Sequence, residues 1–326
     1  WVGGNVPSTT DDVVIAHDND VDDTRSCNSL TINAGARLDV QAALTVATTS
    51  TMAAGSYLYI FTAGTYTQTA GNFTNTAGNI TIYKGSDMVF NHASTTLTNT
   101  GTIEILSDSD QYAALLLSGT YTESGAGVVN YRRWLAGTST WELIGPMLSG
   151  YPIEDFILQN GDIAGGDGGD NGASGEYAVG TYTNTSEAAD AGNTWLNYTS
   201  ATVGDAGNLE MGKGYQMATG SGAEVKFTGN IETGDVTEVI TNNEEGSSNS
   251  NGADGTKFAL LSNPYPSFIT VASFITENTA DLHDAHEAVY GWDGSQYDTY
   301  NSGTGGNIAP GAGFMVGAVG PDANSS

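Results

Sequence analysis

The feature that most constrains the fold of this chain is a repeat in its first third. Short strands led by glycine recur at Gly35, Gly55, Gly78 and Gly101, with spacings of 20, 23 and 23 residues. Two further short strands, in which apolar and polar residues alternate, occupy the rest of each repeat. Three strands in every turn are typical of a parallel β-helix, because one coil cannot bury its inward face alone and stacked coils share a core.

The alternation also predicts which side chains face that core. We expect Leu38, Leu58, Ile80 and Ile103 to stack in one inward column, with glycine at the corners because it accepts positive φ. The other two inward rows are predicted to run through Leu44/Val46, Tyr66, Met88/Phe90 and Leu115/Leu117, and through Leu30/Ile32, Met52, Phe73, Leu97 and Tyr121. Threonine and asparagine, frequent in residues 65–69 and 95–100, are expected on the outer faces.

The repeat is lost near residue 127, and the sequence predicts an all-β protein of two domains. Residues 1–126 are assigned to a short right-handed β-helix, with an N-terminal cap at residues 1–28. In residues 127–326, strands separated by loops rich in Gly, Asn, Ser and Asp favour an antiparallel β-sandwich. Two short helices are predicted there, at residues 153–158 and at residues 268–277 with Ser267 as the N-cap.

Charge excludes several classes of partner. The 326 residues include 37 acidic and 8 basic side chains, for a formal net charge of −29. Nucleic acids and anionic lipid headgroups bind clustered lysine and arginine, so neither is an expected partner. No apolar run approaches the ~20 residues that span a bilayer, so membrane insertion is not expected. The single cysteine, Cys27, excludes an internal disulfide and is expected to be a buried, unreactive thiol.

An ordered series of short motifs runs along both halves of the chain. In the first half they are WVGG at residues 1–4, Pro7, DDVVI at residues 11–15 and CNSLTI at residues 27–32. In the second half they are YRRW at 131–134, WELIGP at 141–146, GKGY at 212–215, FTG at 227–229, NPYPS at 263–267, YGW at 290–292 and GAGFMV at 311–316.

In order and spacing, this series resembles large surface proteins of the Bacteroidetes that leave the cell by type IX secretion. The resemblance covers most of the chain. It implies a solenoid followed by a β-sandwich module in an extracellular or cell-surface protein, and it implies that the chain is a segment of a longer polypeptide. It implies no particular activity.

Two acidic segments are candidate calcium sites, because calcium gathers about six to eight oxygen ligands. In the first, carboxylate and carboxamide oxygens alternate along one loop, supplied by Asp18, Asn19, Asp20, Asp22 and Asp23. The second is glycine-rich and resembles one calcium-binding nonapeptide repeat, with ligands from Asp167, Asp170 and Asn171. An exposed acidic turn and a plain surface loop are the respective alternatives. Calcium is the one predicted cofactor.

No catalytic centre is predicted, and the chain is expected not to be an enzyme. It lacks the GxSxG motif of a nucleophile elbow, and Cys27 lies in a predicted strand with no histidine beside it. The HxxHE order at residues 283–287 does not match a zinc hydrolase motif. Carboxylate pairs brought together only by folding remain open.

The tryptophans raise the question of carbohydrate binding, since their rings stack on sugars. Trp134, Trp141 and Trp292 lie in alternating strands and are expected in the core. Trp195, with Tyr198 nearby, lies in a polar segment and is the predicted sugar contact.

Two hypotheses for function follow. The first is an extracellular structural or adhesive surface protein that self-assembles head to tail into a fibre or surface layer, because uncapped strand edges at solenoid ends template further pairing. The alternative is a carbohydrate-binding module of a larger secreted protein that degrades polysaccharides. The expected partners are other copies of the chain or surface glycans.

Overall fold

The computed structural model describes residues 6–123, 125–138, 140–165, 175–190, 194–243 and 255–319. It is nearly all-β, with 8% helix. The chain divides into two compact units, which we call the solenoid unit (Trp1–Arg133 with Phe227–Gly234) and the sheet unit (Trp134–Lys226 with Asp235–Ser326). None of the helices in the described ranges is long and apolar enough to span a membrane.

Each turn of the solenoid contributes three short strands. The five complete turns are β1 (Asp12–Ile15), β2 (Asn19–Val21) and β3 (Arg25–Cys27); β4 (Ser29–Ile32), β5 (Arg37–Val40) and β6 (Ala43–Val46); β7 (Ser50–Met52), β8 (Tyr57–Ile60) and β9 (Thr65–Gln68); β10 (Asn72–Asn75), β11 (Asn79–Ile82) and β12 (Asp87–Phe90); and β13 (Thr96–Asn99), β14 (Thr102–Leu106) and β15 (Ala114–Leu117). A sixth turn begins with β16 (Thr120–Glu123) and β17 (Val128–Leu135). The first turn uses residues that we expected to cap the solenoid.

These strands stack into three parallel sheets. The first strands of successive turns form the sheet β1-β4-β7-β10-β13-β16, and the third strands form β3-β6-β9-β12-β15. The second strands form β2-β5-β8-β11-β14-β17. The predicted inward column is confirmed in this sheet: Leu38, Leu58, Ile80 and Ile103 lie side by side in register, and each is at most 1% exposed. Burying such a side chain stabilises a fold by about 1.5–3 kcal/mol.

The register of the other sheets follows the prediction with one exception. Leu44, Tyr66, Met88 and Leu115 lie opposite one another as expected. In the first sheet, Met52 is buried opposite Ile32 as expected, but Ser50 rather than Met52 lies opposite Phe73. The buried Tyr66 hydroxyl explains the serine, because it lies 2.6 Å from Ser50 Oγ and donates to Gln68 Oε1 at 2.6 Å.

Buried amides correct a second expectation. Asn75 and Asn99 are fully buried, although we expected asparagine on the outer faces, and Gln68 is fully buried as well. Asn75 Nδ2 donates to Asn99 Oδ1 of the next turn at 2.8 Å, and Asn75 Oδ1 accepts from the backbone N–H of Gly78 at 2.9 Å. The amides therefore satisfy backbone groups at the corner, which a core of apolar side chains would leave without partners.

The repeated glycines serve two different needs. Gly35 and Gly55 have φ of +76° and +71°, as predicted. At Gly101 the constraint is instead close packing, since a Cβ atom would lie 2.1 Å from the carbonyl oxygen of Gly78 in the preceding turn. Ala77 takes the positive φ beside Gly78.

The sheet unit contains the remaining elements. They are β18 (Glu142–Ile144), α1 (Ile153–Gln159), β19 (Glu176–Tyr182), α2 (Ser186–Asp190), β20 (Trp195–Thr199), β21 (Tyr215–Met217), β22 (Ala223–Gly229, whose last residues belong to the solenoid unit), β23 (Phe258–Ser262), β24 (Ile269–Thr270), α3 (Val271–Asn278), β25 (Val289–Trp292), β26 (Tyr297–Tyr300), β27 (Asn307–Ile308) and β28 (Gly313–Gly317). Short 3-10 turns occupy Val203–Asp205 and Asp284–His286.

Two four-stranded sheets, β18-β21-β19-β20 and β23-β28-β25-β26, form the framework of this unit, and their strands pair antiparallel. A core that includes Ile275, Val289, Phe314 and Val316 packs α3 against the second sheet. The predicted fold class, a β-solenoid followed by antiparallel sheets, is confirmed.

The helices differ in how well the sequence predicted them. Helix α1 contains the whole of the predicted segment 153–158. Helix α3 begins at Val271, and its cap is Thr270, whose hydroxyl accepts from the backbone N–H of Ser273 at 3.0 Å. The predicted start at residue 268 with Ser267 as cap was wrong, because Ile269 and Thr270 pair with β27 and are extended.

Replacing Tyr66 with Phe tests the buried hydroxyl network. The substitution removes the two hydrogen bonds of the phenol, although Ser50 Oγ still donates to Gln68 Oε1 at 2.8 Å, so we expect the free energy of unfolding to fall by about 1–2 kcal/mol. The matched change Tyr57→Phe, on the exposed face of β8, should alter it by less than about 0.5 kcal/mol. Chemical denaturation of both variants measures the difference, and equal effects would contradict the assignment.

Candidate functional site

The first part of the candidate site is an aromatic pair on adjacent strands of the sheet unit. Tyr182 of β19 lies directly opposite Trp195 of β20, and their ring centroids are 4.8 Å apart. Both side chains are partly exposed. Successive side chains of a strand point to opposite faces of the sheet. Residues 195, 197 and 199 of β20 therefore share one face, and residues 196 and 198 share the other.

Two amide side chains lie on the same face, next to the rings. Asn197 of β20 and Gln216 of β21 both lie opposite Gly180 of β19. Gln216 Nε2 donates to Asn197 Oδ1 at 2.7 Å across the glycine. A Cβ atom at position 180 would lie 2.4 Å from that oxygen, so glycine is what allows the two amides to meet.

A second aromatic pair belongs to β25 and β26. The rings of Trp292 and Tyr297 are 5.0 Å apart, and Trp292 Nε1 donates to the carbonyl oxygen of Trp141 at 3.0 Å. Burial raises the pKa of Tyr182 to about 12, and the nearby phenol of Tyr297 adds to the rise. The phenols of Tyr182 and Tyr297 are therefore within the range of an electrostatic interaction. We call the set Tyr182, Trp195, Asn197, Gln216, Trp292 and Tyr297 the aromatic surface.

The aromatic surface offers two kinds of contact. Aromatic faces pack against apolar C–H groups, and each amide offers both a donor and an acceptor. None of its groups is a carboxylate, histidine, lysine or cysteine, so the surface offers no acid or base that titrates near neutral pH.

Of the predicted sugar contacts, the structure brings only Trp195 to this surface. Tyr198 lies on the opposite face of β20, and burial is the main reason that its pKa is raised, followed by the carboxylate of Glu210. The other tryptophans were expected in the core, and that expectation was wrong for Trp134. Trp134 is 36% exposed, and Trp292 is half-buried, whereas the half-buried Trp141 packs against the buried cluster of Ala164, Ala178 and Ala218.

Tyr182, Asn197, Gln216 and Tyr297 were missed by sequence reasoning. They come from four strands. Antiparallel register brings Tyr182, Asn197 and Gln216 together, whereas Tyr297 belongs to the other sheet, and no local pattern encodes either placement. The one available signal was the polar segment around Trp195, which sequence analysis did use.

The first predicted calcium segment lies on the first turn of the solenoid. Asn19 and Asp20 belong to β2, while Asp18, Asp22 and Asp23 flank it, and all four aspartates are exposed. Asp23 is paired with Arg25 at 2.6 Å. Among the described residues, no group of three or more His, Cys, Asp or Glu side chains is placed to hold a metal. Calcium binding here, where asparagine and backbone oxygens would complete the ligand set, stays a prediction.

The second acidic segment, the cysteine and the histidine pair lie elsewhere in the chain. Asp167, Asp170 and Asn171 lie outside the described residues. Cys27 is 2% exposed, and burial raises its pKa to about 11, which suits an unreactive thiol. The rings of His283 and His286 are 5.2 Å apart, and His286 Nδ1 lies 3.2 Å from the Tyr290 hydroxyl.

Comparison with known families finds one match. Residues 173–323 match a family model described as Domain of unknown function (DUF8693). No curated protein matches the chain, and no solved structure does. The matched segment is less than half of the chain, and it contains every residue of the aromatic surface.

Replacing Gly180 with Ala tests the geometry of the surface. The added methyl group collides with Asn197 and with the carbonyl oxygen of Leu196, 2.8 Å from the Cβ position, so we expect a loss of about 1–3 kcal/mol in stability. At Gly161 a Cβ atom meets nothing within 4 Å, and Gly161→Ala should be neutral or slightly stabilising. Thermal melts compare the two, and a neutral Gly180→Ala would show that the amides need no glycine.

Proposed function

We propose that this chain is a non-catalytic, adhesive protein of the cell exterior that binds carbohydrate through the aromatic surface. The observation that carries the proposal is the Tyr182–Trp195 ring pair beside the bonded amides of Asn197 and Gln216. Rings that cover the C–H face of a sugar, together with amides that bond its hydroxyls, supply the two kinds of contact that a glycan needs.

The charge of the chain narrows the class of glycan. With a formal net charge of −29, the protein repels polymers that carry carboxylate or sulfate groups. The amides and phenols of the aromatic surface are neutral and match hydroxyl groups. We therefore propose neutral polysaccharides, rather than alginate or pectin, as ligands.

An exterior location agrees with the resemblance of the motifs to surface proteins exported by type IX secretion. A solenoid suits adhesion, because stacked coils form an extended surface and require no catalytic groups. The proposal combines the two hypotheses drawn from the sequence, adhesion and carbohydrate binding, in one molecule.

Replacing Trp195 with Ala tests the binding proposal. We expect the wild-type chain to bind soluble laminarin or cello-oligosaccharides, and Trp195→Ala to weaken that affinity by at least about tenfold. Trp134→Ala removes a partly exposed tryptophan outside the aromatic surface and should leave the affinity unchanged. Isothermal titration calorimetry measures all three proteins, with alginate oligosaccharides as the anionic comparison.

Two results would contradict the proposal. One is the absence of binding to any neutral glycan at millimolar concentration. The other is an equal loss in Trp195→Ala and Trp134→Ala, which would mean that general stability rather than the aromatic surface controls affinity.

Self-association is a second candidate function, supported by the first turn of the solenoid. β1, β2 and β3 are the outermost described strands of their three sheets, and outermost strands can pair with another chain. Six exposed aspartates between residues 11 and 23 lie on the same turn, and their like charges oppose contact between two such chains. Calcium bound there would remove the repulsion, so we propose that association depends on calcium.

Sedimentation velocity tests this dependence. We expect a larger sedimenting species in millimolar calcium than in chelator, and the shift should disappear in the double variant Asp20→Asn/Asp22→Asn. The matched change Asp205→Asn/Asp298→Asn, in the sheet unit, should retain it. Identical sedimentation of the wild type in calcium and in chelator would exclude calcium-dependent association.

A further inference from the structure

The sheet unit contains a cavity of about 520 Å³ that shares no residue with the aromatic surface. One wall is the irregular segment 235–240, and the other is helix α3 with the turn that follows it. Apolar side chains line its interior, among them Ile240, Leu261, Phe274 and Phe314. Its volume lies in the range of small-molecule sites, about 300–1,000 Å³. We call it the acidic cleft, because four carboxylates are among the residues that line it.

Carboxylates stand on both walls of the acidic cleft. Asp235 and Glu238 belong to the irregular segment, whereas Glu277 lies on α3 and Asp281 on the turn after it. No lysine, arginine or histidine is found among the described residues that line the cleft. In the part of the chain that the structure describes, no ion pair or hydrogen bond engages the side chain of any of the four. The cleft thus combines an apolar interior with unbalanced negative charge.

Lys213, a cation that acts on the cleft carboxylate Glu238, is already paired with another residue. Lys213 donates to Glu210 at 2.9 Å, and its ammonium lies 6.0 Å from the centre of the Tyr215 ring. Burial raises the pKa of Glu238, the negative charge of Glu210 adds to the rise, and Lys213 opposes it only in part. A positive charge inside the cleft would favour the ionised form of Glu238 and would be attracted in return.

We infer that the acidic cleft binds an organic cation with an apolar body, that is, a primary amine or guanidinium carried on an aromatic or aliphatic skeleton. The skeleton packs among Phe274, Leu261 and Phe314, and the charged group lies between the carboxylates of the two walls. An inorganic cation fits less well, because apolar side chains line the interior of the cleft and offer it no oxygen ligands. A neutral sugar would leave the carboxylates without a counter-charge.

Phenethylamine, which is protonated at pH 7, is the probe, and 2-phenylethanol is its neutral counterpart. We expect the amine to bind at least about tenfold more tightly than the alcohol, and added salt to weaken only the amine. Glu238→Gln and Glu277→Gln should each weaken the amine by about threefold or more. Glu154→Gln makes the same charge change on the exposed face of α1 and should have no effect.

Calorimetry measures binding, and circular dichroism shows whether each variant is folded, so a loss of binding can be distinguished from a loss of folding. Equal affinity for the amine and the alcohol would reduce the acidic cleft to an apolar cavity and overturn the inference. So would the absence of amine binding at 10 mM probe, or complete displacement of the amine by millimolar calcium. Glycan binding need not change in any of these experiments, so the inference stands or falls independently of the proposed function.

Discussion

In-register stacking of one coil on the next is the interaction on which the solenoid unit depends. Its backbone hydrogen bonds run between turns, as from Phe61 N to Val40 O and from Tyr83 N to Ile60 O, both at 2.9 Å. The same stacking aligns the apolar columns, so a coil has a buried core only when its neighbours are present. It also brings the corners so close that Gly101 has no room for a side chain.

The second constraint is the large negative charge. The fold limits the repulsion between carboxylates by placing them in solvent or beside a cation. The aspartates of the first turn remain in solvent, where like charges are screened. Asp39 is the exception, since it is only 3% exposed. Arg37 Nε donates a hydrogen bond to Asp39 at 2.7 Å, and the guanidinium of Arg37 also lies over the Tyr59 ring. The same negative field underlies both binding proposals, since it disfavours anionic glycans and favours an organic cation in the acidic cleft.

The arrangement of the Tyr182–Trp195 pair and its two amides depends on register between separate strands of the sheet unit. Tyr182 meets Trp195, and Gly180 lies between Asn197 and Gln216, only because β19 pairs with both β20 and β21. Sequence reasoning identified Trp195 from its polar surroundings but paired it with Tyr198, its neighbour along the chain. Alternation along β20 places Tyr198 on the other face of the sheet. Nearness in sequence was therefore misleading, because the residues of this surface are neighbours across the sheet and not along the chain.

The sequence by itself determined the class of fold, because a repeat that buries its apolar face only by stacking leaves one solution. The column of Leu38, Leu58, Ile80 and Ile103 could be predicted for that reason. Only the tertiary structure decided the contents of the core at Ser50, Asn75 and Asn99, since a buried polar group is stable only beside a partner that local pattern does not reveal. The aromatic surface and the acidic cleft were likewise decided by the tertiary structure, because each is assembled from segments that meet only when the chain has folded.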